Sequence, residues 1–178
     1  LAYYKEYGLP VTVVRLFNCT GPRQSDRYGM VLPRLVGQAL RGEPLTVYGT
    51  GQQSRCFCHV SDTVEALFIL GQTPQAAGQV FNVGSTDPVT IWQLAEEVRF
   101  QVAERTGRPA PDILRLSYAE AYSSPDYADM PARVPDISRI RKLIDWEPKV
   151  RLREIVSSVI TYGLASNSRS ADLTNRAR

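Results

Sequence analysis

The chain is poor in the side chains that most metal and acid–base centres use. It has one histidine and three cysteines in 178 residues. Cys56 and Cys58 stand two apart on an expected strand and point the same way, but no second pair completes a metal site. The three thiols are therefore expected to be reduced and packed, as in a cytoplasmic protein. His59, the lone histidine, falls at a strand end and is read as a hydrogen-bonded structural residue. Long apolar runs are missing too. The longest is Ala66-Leu67-Phe68-Ile69-Leu70, far short of a membrane span. Net charge is only +3, and the tail from Ala165 carries much of it (Arg169, Arg176 and Arg178 against Asp172). No basic stripe is interleaved with aromatics, so nucleic acid and membrane are both excluded as expected partners. There is no internal repeat.

What remains is 43% hydrophobic and 22% charged, the balance of a soluble globular chain with room for a real core. Its most informative stretch is Arg15-Leu16-Phe17-Asn18-Cys19-Thr20-Gly21-Pro22-Arg23-Gln24. It follows Val11-Thr12-Val13-Val14, a β-branched run that predicts a buried strand. At its carboxyl end an amide, a hydroxyl, Gly-Pro and two arginines appear within ten residues. In open α/β sheets, ligands sit beyond the carboxyl ends of strands. Asn18 and Arg23 are thus placed to offer donors to an anion, although a Gly-Pro turn with surface arginines would read the same way.

Helix and strand signals alternate along the rest. Leu1 to Tyr7 reads as the end of a helix closed by Gly8, Leu9 and Pro10. That stop signal has no matching start, and we expect a longer protein to precede Leu1. Met30 to Arg41 carries an apolar helical stripe with Pro33 in its first turn and Gly42 as its stop. Pro44 to Tyr48 predicts a short strand, and Ser54 to Val60 another interrupted by Arg55. Ser61 or Asp62 should cap a helix to about Leu70, and Gln79 to Gly84 is a buried strand. Thr90 with Gln93 makes a capping box for a helix to about Thr106. Residues 109–135 are proline-rich with few periodic apolar positions, and are expected to be a binding loop or disordered. Asp136 caps a helix to Ile144, and Leu152 to about Leu164 is a final amphipathic helix. The segment 165–178 is expected to be a disordered tail.

Asn18, Arg23, Arg55 and Arg133 sit at strand ends or in loops, and three of them are permanent cations. Guanidinium groups grip phosphate oxygens bidentately, so a diphosphate would suit the set. Thr46-Val47-Tyr48 could offer strand-edge backbone groups to a planar base, and Asp129 could accept from a ribose hydroxyl.

Five motifs in order carry a resemblance. They are Arg15-x-Phe17-Asn18-x-x-Gly21-Pro22-Arg23-Gln24, Gly42 to Gly51 with Arg55-x-Phe57-x-His59-Val60, Val80 to Gly84, Asp129 to Ser138, and Trp146-Glu147-Pro148. Together the chain resembles the NAD-dependent epimerase/dehydratase family, the extended short-chain dehydrogenases/reductases that act on nucleotide sugars. Its flavour is that of UDP-glucuronate decarboxylase and UDP-glucose 4-epimerase-like members. The resemblance covers about Leu1 to Gly163.

The fold it implies is α/β: the carboxyl-terminal part of a Rossmann-type fold plus its small substrate-binding domain. Residues 1–28 would end the NAD-binding domain and 29–164 would be mainly the substrate-binding domain, with 79–106 returning to the Rossmann sheet. Leu16, Phe17 and Arg23 would lie against NAD. Asn18 would bond the diphosphate of a UDP-sugar, and Arg55 and Arg133 would clamp its phosphates. Val31, Thr46, Val47 and Tyr48 would cradle the uracil, and Asp129 would hold the ribose. The resemblance further implies a homodimer in the full-length protein, and a mechanism in which hydride leaves the sugar for NAD and later returns. The alternative is a non-catalytic dinucleotide-binding or sensor protein of the same fold.

Departures from the family pattern are specific. No Gly-x-x-Gly-x-x-Gly occurs, and none of Lys5, Lys142 and Lys149 has a tyrosine four residues before it. Both the cofactor loop and the catalytic Tyr-x-x-x-Lys are expected upstream of Leu1, so no catalytic residue is assigned here and the fragment alone is expected to be inactive. Cys56 stands where many members carry an acid, and Thr20 where an aromatic is common. Asp126 falls near the place of a phosphate-binding arginine in 4-epimerases, which would shift that load to Arg133.

Overall fold

The computed structural model describes residues 1–26, 29–122 and 129–176. In chain order the first elements are α1 (Ala2–Tyr7), β1 (Val13–Leu16), β2 (Cys19–Thr20), α2 (Val31–Arg41) and β3 (Leu45–Tyr48). Then follow β4 (Ser54–Cys56), β5 (Cys58–His59), α3 (Val60–Gln72), β6 (Val80–Val83), β7 (Pro88–Thr90) and α4 (Ile91–Thr106). The last are β8 (Ile113–Leu116), α5 (Tyr118–Tyr122), β9 (Ala132–Arg133), α6 (Ser138–Ile144) and α7 (Leu152–Arg176). No helix among the described residues is long and apolar enough to cross a membrane.

The chain folds into two compact units that interleave in sequence. The first is Leu1–Thr20, Arg55–Val89 and Ala132–Arg151; the second takes Gly21–Ser54, Thr90–Pro131 and the chain from Leu152 on. In the first unit β1 and β6 run parallel, Val13 opposite Val80 through Leu16 opposite Val83. Parallel neighbours so far apart in sequence need crossover connections, the arrangement of α/β proteins. β6 thus pairs with the opening strand, and α4 belongs to the other unit. The first unit's core gathers Ala66 and Leu70 of α3, Phe81 and Val83 of β6, Ile140 of α6 and Trp146. Asp62, buried among them, accepts at Oδ2 from the backbone N–H of Lys149 and Val150, both at 3.0 Å. Its own carbonyl accepts from Trp146 Nε1 at 3.2 Å. One carboxylate therefore holds the segment after α6 against α3.

In the second unit α2, α4 and α7 pack on one another, and α2 and α4 pack on β3. β3 runs parallel to β8, Leu45 opposite Ile113 and Tyr48 opposite Leu116. Leu32, Leu35 and Val36 of α2 are buried with Leu94 and Val98 of α4 and Ile155 and Ile160 of α7. The α2 stripe does the packing its spacing predicts, and Gly42 ends the helix at φ 75°.

Four expectations change. Residues 54–60 form two strands, because β4 sits between β7 and β9 while β5 pairs with β2, so one segment serves two sheets. His59, not Ser61 or Asp62, is the N-cap of α3: its Nδ1 accepts from Ser61 N at 3.3 Å, while Asp62 turns inward. Segment 109–135 is not wholly irregular. It contributes β8, which gains its hydrogen bonds from β3, and α5, whose Ser117 and Glu120 exchange capping bonds. Finally, α7 continues to Arg176, past the boundary expected at residue 165. Extending a nucleated, packed helix costs little per residue, so a polar composition does not stop it.

Candidate ligand-binding residues

In the first unit the candidate donors gather at the carboxyl end of β1. Leu16 is half exposed there, an apolar side chain at the tip of a strand whose Val13 and Val14 are half-buried and whose Arg15 is exposed. Asn18 follows with φ 40°, a left-handed conformation that asparagine tolerates better than most residues. Its Nδ2 donates to Cys56 O at 2.9 Å, and its own carbonyl accepts from Cys58 N at 3.2 Å. The turn is thereby clamped to the junction of β4 and β5.

Phe17 N donates to Val83 O at 2.9 Å, continuing the β1–β6 ladder to its end. Gly84 then passes so close that a Cβ there would lie 2.7 Å from Phe17 Cβ and 3.2 Å from Pro135 Cγ. No side chain fits at 84 without prising the two strand tips apart.

Arg55 and Arg133 lie on β4 and β9, which are hydrogen-bonded neighbours. Their main chains are therefore about one strand spacing apart, roughly 4.8 Å. Cys56, the residue after Arg55, is the one Asn18 bonds. Asn18, Arg55 and Arg133, expected as anion contacts, are thus linked across the sequence by the bond from residue 18 to residue 56 and by the pairing of β4 with β9. Arg55 is half-buried and Arg133 exposed. The thiols beside them are poor nucleophiles. Burial pushes Cys58 up to about 11, with the Thr63 hydroxyl opposing it weakly, and raises Cys56 in the same direction.

The remaining predicted residues belong to the second unit. Arg23 is exposed, with φ 70°, and borders an open cavity of about 280 Å³ whose walls include Gln24, Pro33, Gly37, Leu40 and Tyr162. Leu16 and Phe17, its expected companions at the cofactor, are in the first unit. Val31 opens α2 and Asp129 is half-buried in the second unit, whereas Arg133, four residues on, is in the first. Asp126, Arg27 and Tyr28 lie outside the described residues.

β3 departs from the sequence reading. Val47 is completely buried, so its side chain belongs to the core. Three of the strand-edge groups expected to meet a base have partners within the chain. Thr46 N donates to Gln38 Oε1 at 3.1 Å, and Thr46 O accepts from Arg34 Nη1 at 2.8 Å. Tyr48 O accepts from Gln53 Nε2 at 3.1 Å. The other edge of β3 is paired with β8. The ring of Tyr48 is half-buried, with the guanidinium of Arg34 4.4 Å from its centroid.

Neither Arg34 nor Gln38 stood out in the sequence. The signal was their i,i+4 spacing on a helix whose apolar positions are 32, 35, 36 and 39, which sets both on one polar side.

Comparison with known proteins bears on the family. Residues 1–84 match the NAD dependent epimerase/dehydratase family. The chain is 34% identical over 160 residues to a UDP-N-acetyl-alpha-D-glucosaminuronate decarboxylase of Bacillus cytotoxicus, covering 89% of this chain and 48% of that protein. It is 38% identical over 152 residues to UDP-glucuronic acid decarboxylase 6 of Arabidopsis thaliana, covering 85% and 40%. Among solved structures it resembles the UDP-glucuronic acid 4-epimerase of Bacillus cereus in complex with NAD, with 25% identity and a TM-score of 0.71 over 90% of this chain and 47% of that one. The chain spans about half the length of the curated relatives it matches.

Proposed function

The chain belongs to the NAD-dependent epimerase/dehydratase family, and from that premise we propose that it is the nucleotide-sugar-binding part of an NAD-dependent decarboxylase or epimerase acting on a UDP-uronate. The observation that carries this reading is the set in the first unit: Asn18 at the tip of β1, bonded to Cys56 O at 2.9 Å, with Arg55 and Arg133 on adjacent strands. Two guanidiniums and an amide on rigid strand ends suit the two phosphates of a nucleoside diphosphate, which they would hold by charge-assisted bonds. In the second unit the Tyr48 ring and Val31 would meet the base, Thr46 would help hold that surface, and Asp129 would accept from the ribose.

NAD fits what the strand tips leave open. Leu16 presents apolar surface beside Phe17, and Gly84 keeps that end of the sheet free of a further side chain. Leu16 and Phe17 would lie against the nicotinamide, and Arg23 would offer a cation to the cofactor. Bound NAD would take up and return a hydride at the sugar. The residues of this chain bind and orient, and none handles the proton. We therefore expect the chain alone not to turn over a nucleotide sugar. Leu1, Tyr3 and Tyr7, exposed around α1, are the surface through which a homodimer would form.

The test is to incubate the complete protein with NAD and either UDP-glucuronate or UDP-glucose and identify the products by NMR. A UDP-pentose with carbon dioxide, or the 4-epimer, is the expected result from UDP-glucuronate. Failure to bind UDP, with both sugars unchanged, would overturn the reading.

A further inference from the structure

We propose that Asn82 is a positioning residue for Arg133, a role that rests on the reading above that Arg133 meets the phosphates. Both belong to the first unit, where β6 has β1 on one side and segment 135–139 beside it. Three contacts fasten that segment to the strand. Gln79 Oε1 accepts from Arg139 Nη2 at 2.9 Å, and Asn82 Nδ2 donates to the carbonyl of Asp136 at 3.0 Å. Gly84 lies against Pro135, whose Cγ would stand 3.2 Å from a Cβ at residue 84. Residue numbers fall along one chain as they rise along the other, so the segment runs opposite in direction to β6. Asp136 faces two ways: its carbonyl meets Asn82, and its Oδ1 accepts from Ser138 N at 2.9 Å where α6 begins.

Arg133 stands three residues before that carbonyl, and the chain between them is stiff. Val134 precedes a proline and is biased to extended backbone, while the ring of Pro135 fixes its own φ. Pro135 and Ile137 are buried, so the segment cannot roll about its axis without exposing them. With few soft torsions in between, a bond at the Asp136 carbonyl sets where the main chain of Arg133 stands. Of the two hydrogen bonds from β6, the one from Asn82 is the nearer to Arg133. Asn82 also lies opposite Arg15 on β1, three residues before Asn18, so the same strand pair carries both anion contacts. Arg133 is exposed on a strand of two residues. Ordering its main chain before the ligand arrives removes an entropy cost that binding would otherwise meet.

The experiment is calorimetric titration of the complete protein and its Asn82→Ala, Arg133→Ala, double and Gln79→Ala variants with UDP and, separately, with NAD. Asn82→Ala should weaken UDP by roughly 2- to 10-fold, the scale of one hydrogen bond, and leave NAD affinity unchanged. The double variant should lose no more UDP affinity than Arg133→Ala alone, because a positioning bond matters to binding only while the guanidinium it positions is present. Its urea midpoint should still fall below that of Arg133→Ala. Gln79→Ala, which removes the farther bond, should keep wild-type UDP affinity.

Wild-type UDP affinity in Asn82→Ala, with Arg133→Ala weakened, would overturn the role of Asn82. So would additive losses in the double variant, an equal loss for UDP and NAD, or a UDP loss in Gln79→Ala as large as that in Asn82→Ala. Wild-type UDP affinity in Arg133→Ala would instead overturn the placement of Arg133 at the phosphates. Should Asn82→Ala fail to fold, Asn82→Leu, which removes the donor and keeps the volume, takes its place in the same cycle, and the same outcomes decide.

Discussion

Replacing Asn18 by alanine and by glycine separates what its backbone does from what its amide does. The residue holds φ 40°, and its Nδ2 donates to Cys56 O at 2.9 Å. Either substitution removes that bond, a net loss of about 0.5–1.5 kcal/mol. Alanine adds the left-handed penalty of about 1–2 kcal/mol. Glycine avoids it but gains freedom in the unfolded chain, costing about 0.4–1 kcal/mol. Asn18→Ala should therefore be the less stable of the two by roughly 1 kcal/mol, taking the difference of those two penalties. Urea midpoints at constant m-value measure this.

Ligand binding should follow a different order. Both variants lack the amide proposed to meet the diphosphate, so both should lose the same affinity for UDP, roughly 10- to 100-fold for one charge-assisted bond. Equal urea midpoints would refute the strain reasoning. UDP affinity that tracks stability, alanine worse than glycine, would refute the assignment of the amide to the phosphates and leave Asn18 a turn residue.

Three other outcomes are expected. Asp62→Ala leaves the backbone N–H of Lys149 and Val150 without their shared acceptor and should destabilise the protein by about 2–5 kcal/mol, the scale of unsatisfied buried donors, while Asp62→Asn costs less; urea denaturation distinguishes the two. Burial raises the Cys58 thiol from 9.0 to about 11, so between those values the folded protein keeps a proton that the unfolded chain has lost, and stability falls as pH rises. A Cys58→Ala variant should show a flatter decline of Tm across that window, and an unchanged slope would refute the linkage. Arg55→Ala should weaken UDP by roughly 10- to 100-fold with NAD affinity little changed, and equal losses for both ligands, or none for UDP, would sink its assignment to the phosphates.

Local signals made much of the fold legible. Gly8, Gly42 and Gly107 each end a helix in the left-handed conformation, as their places after an apolar stripe predict. Thr90 and Gln93 form the capping box their spacing announces. β8 was not legible, because Ile-Leu-Arg-Leu gains strand geometry from β3 across the fold rather than from turns beside it. The split of residues 54–60 was hidden for a related reason: alternation cannot say which sheet each end of a strand will join. For the site, the sequence named Asn18, Arg55 and Arg133 but not their assembly, which depends on β4 lying beside β9 and on a bond from residue 18 to residue 56. Alternation along β3 sends the Val47 side chain into the core, so its main chain alone is left for the part expected of it.

The two units solve one problem in opposite ways. In the first, main chain and side chain together hold the turn at the strand tips: Phe17 N donates to Val83 O, Asn18 O accepts from Cys58 N, and Asn18 Nδ2 donates to Cys56 O. In the second, the side chains of Arg34 and Gln38 bond the main chain of Thr46, and the Arg34 guanidinium lies 4.4 Å from the centroid of the Tyr48 ring. Fixed charges on rigid ends discriminate by charge and geometry, whereas a ring face accepts any flat partner of suitable size. Affinity for the diphosphate should therefore depend steeply on salt through the first unit.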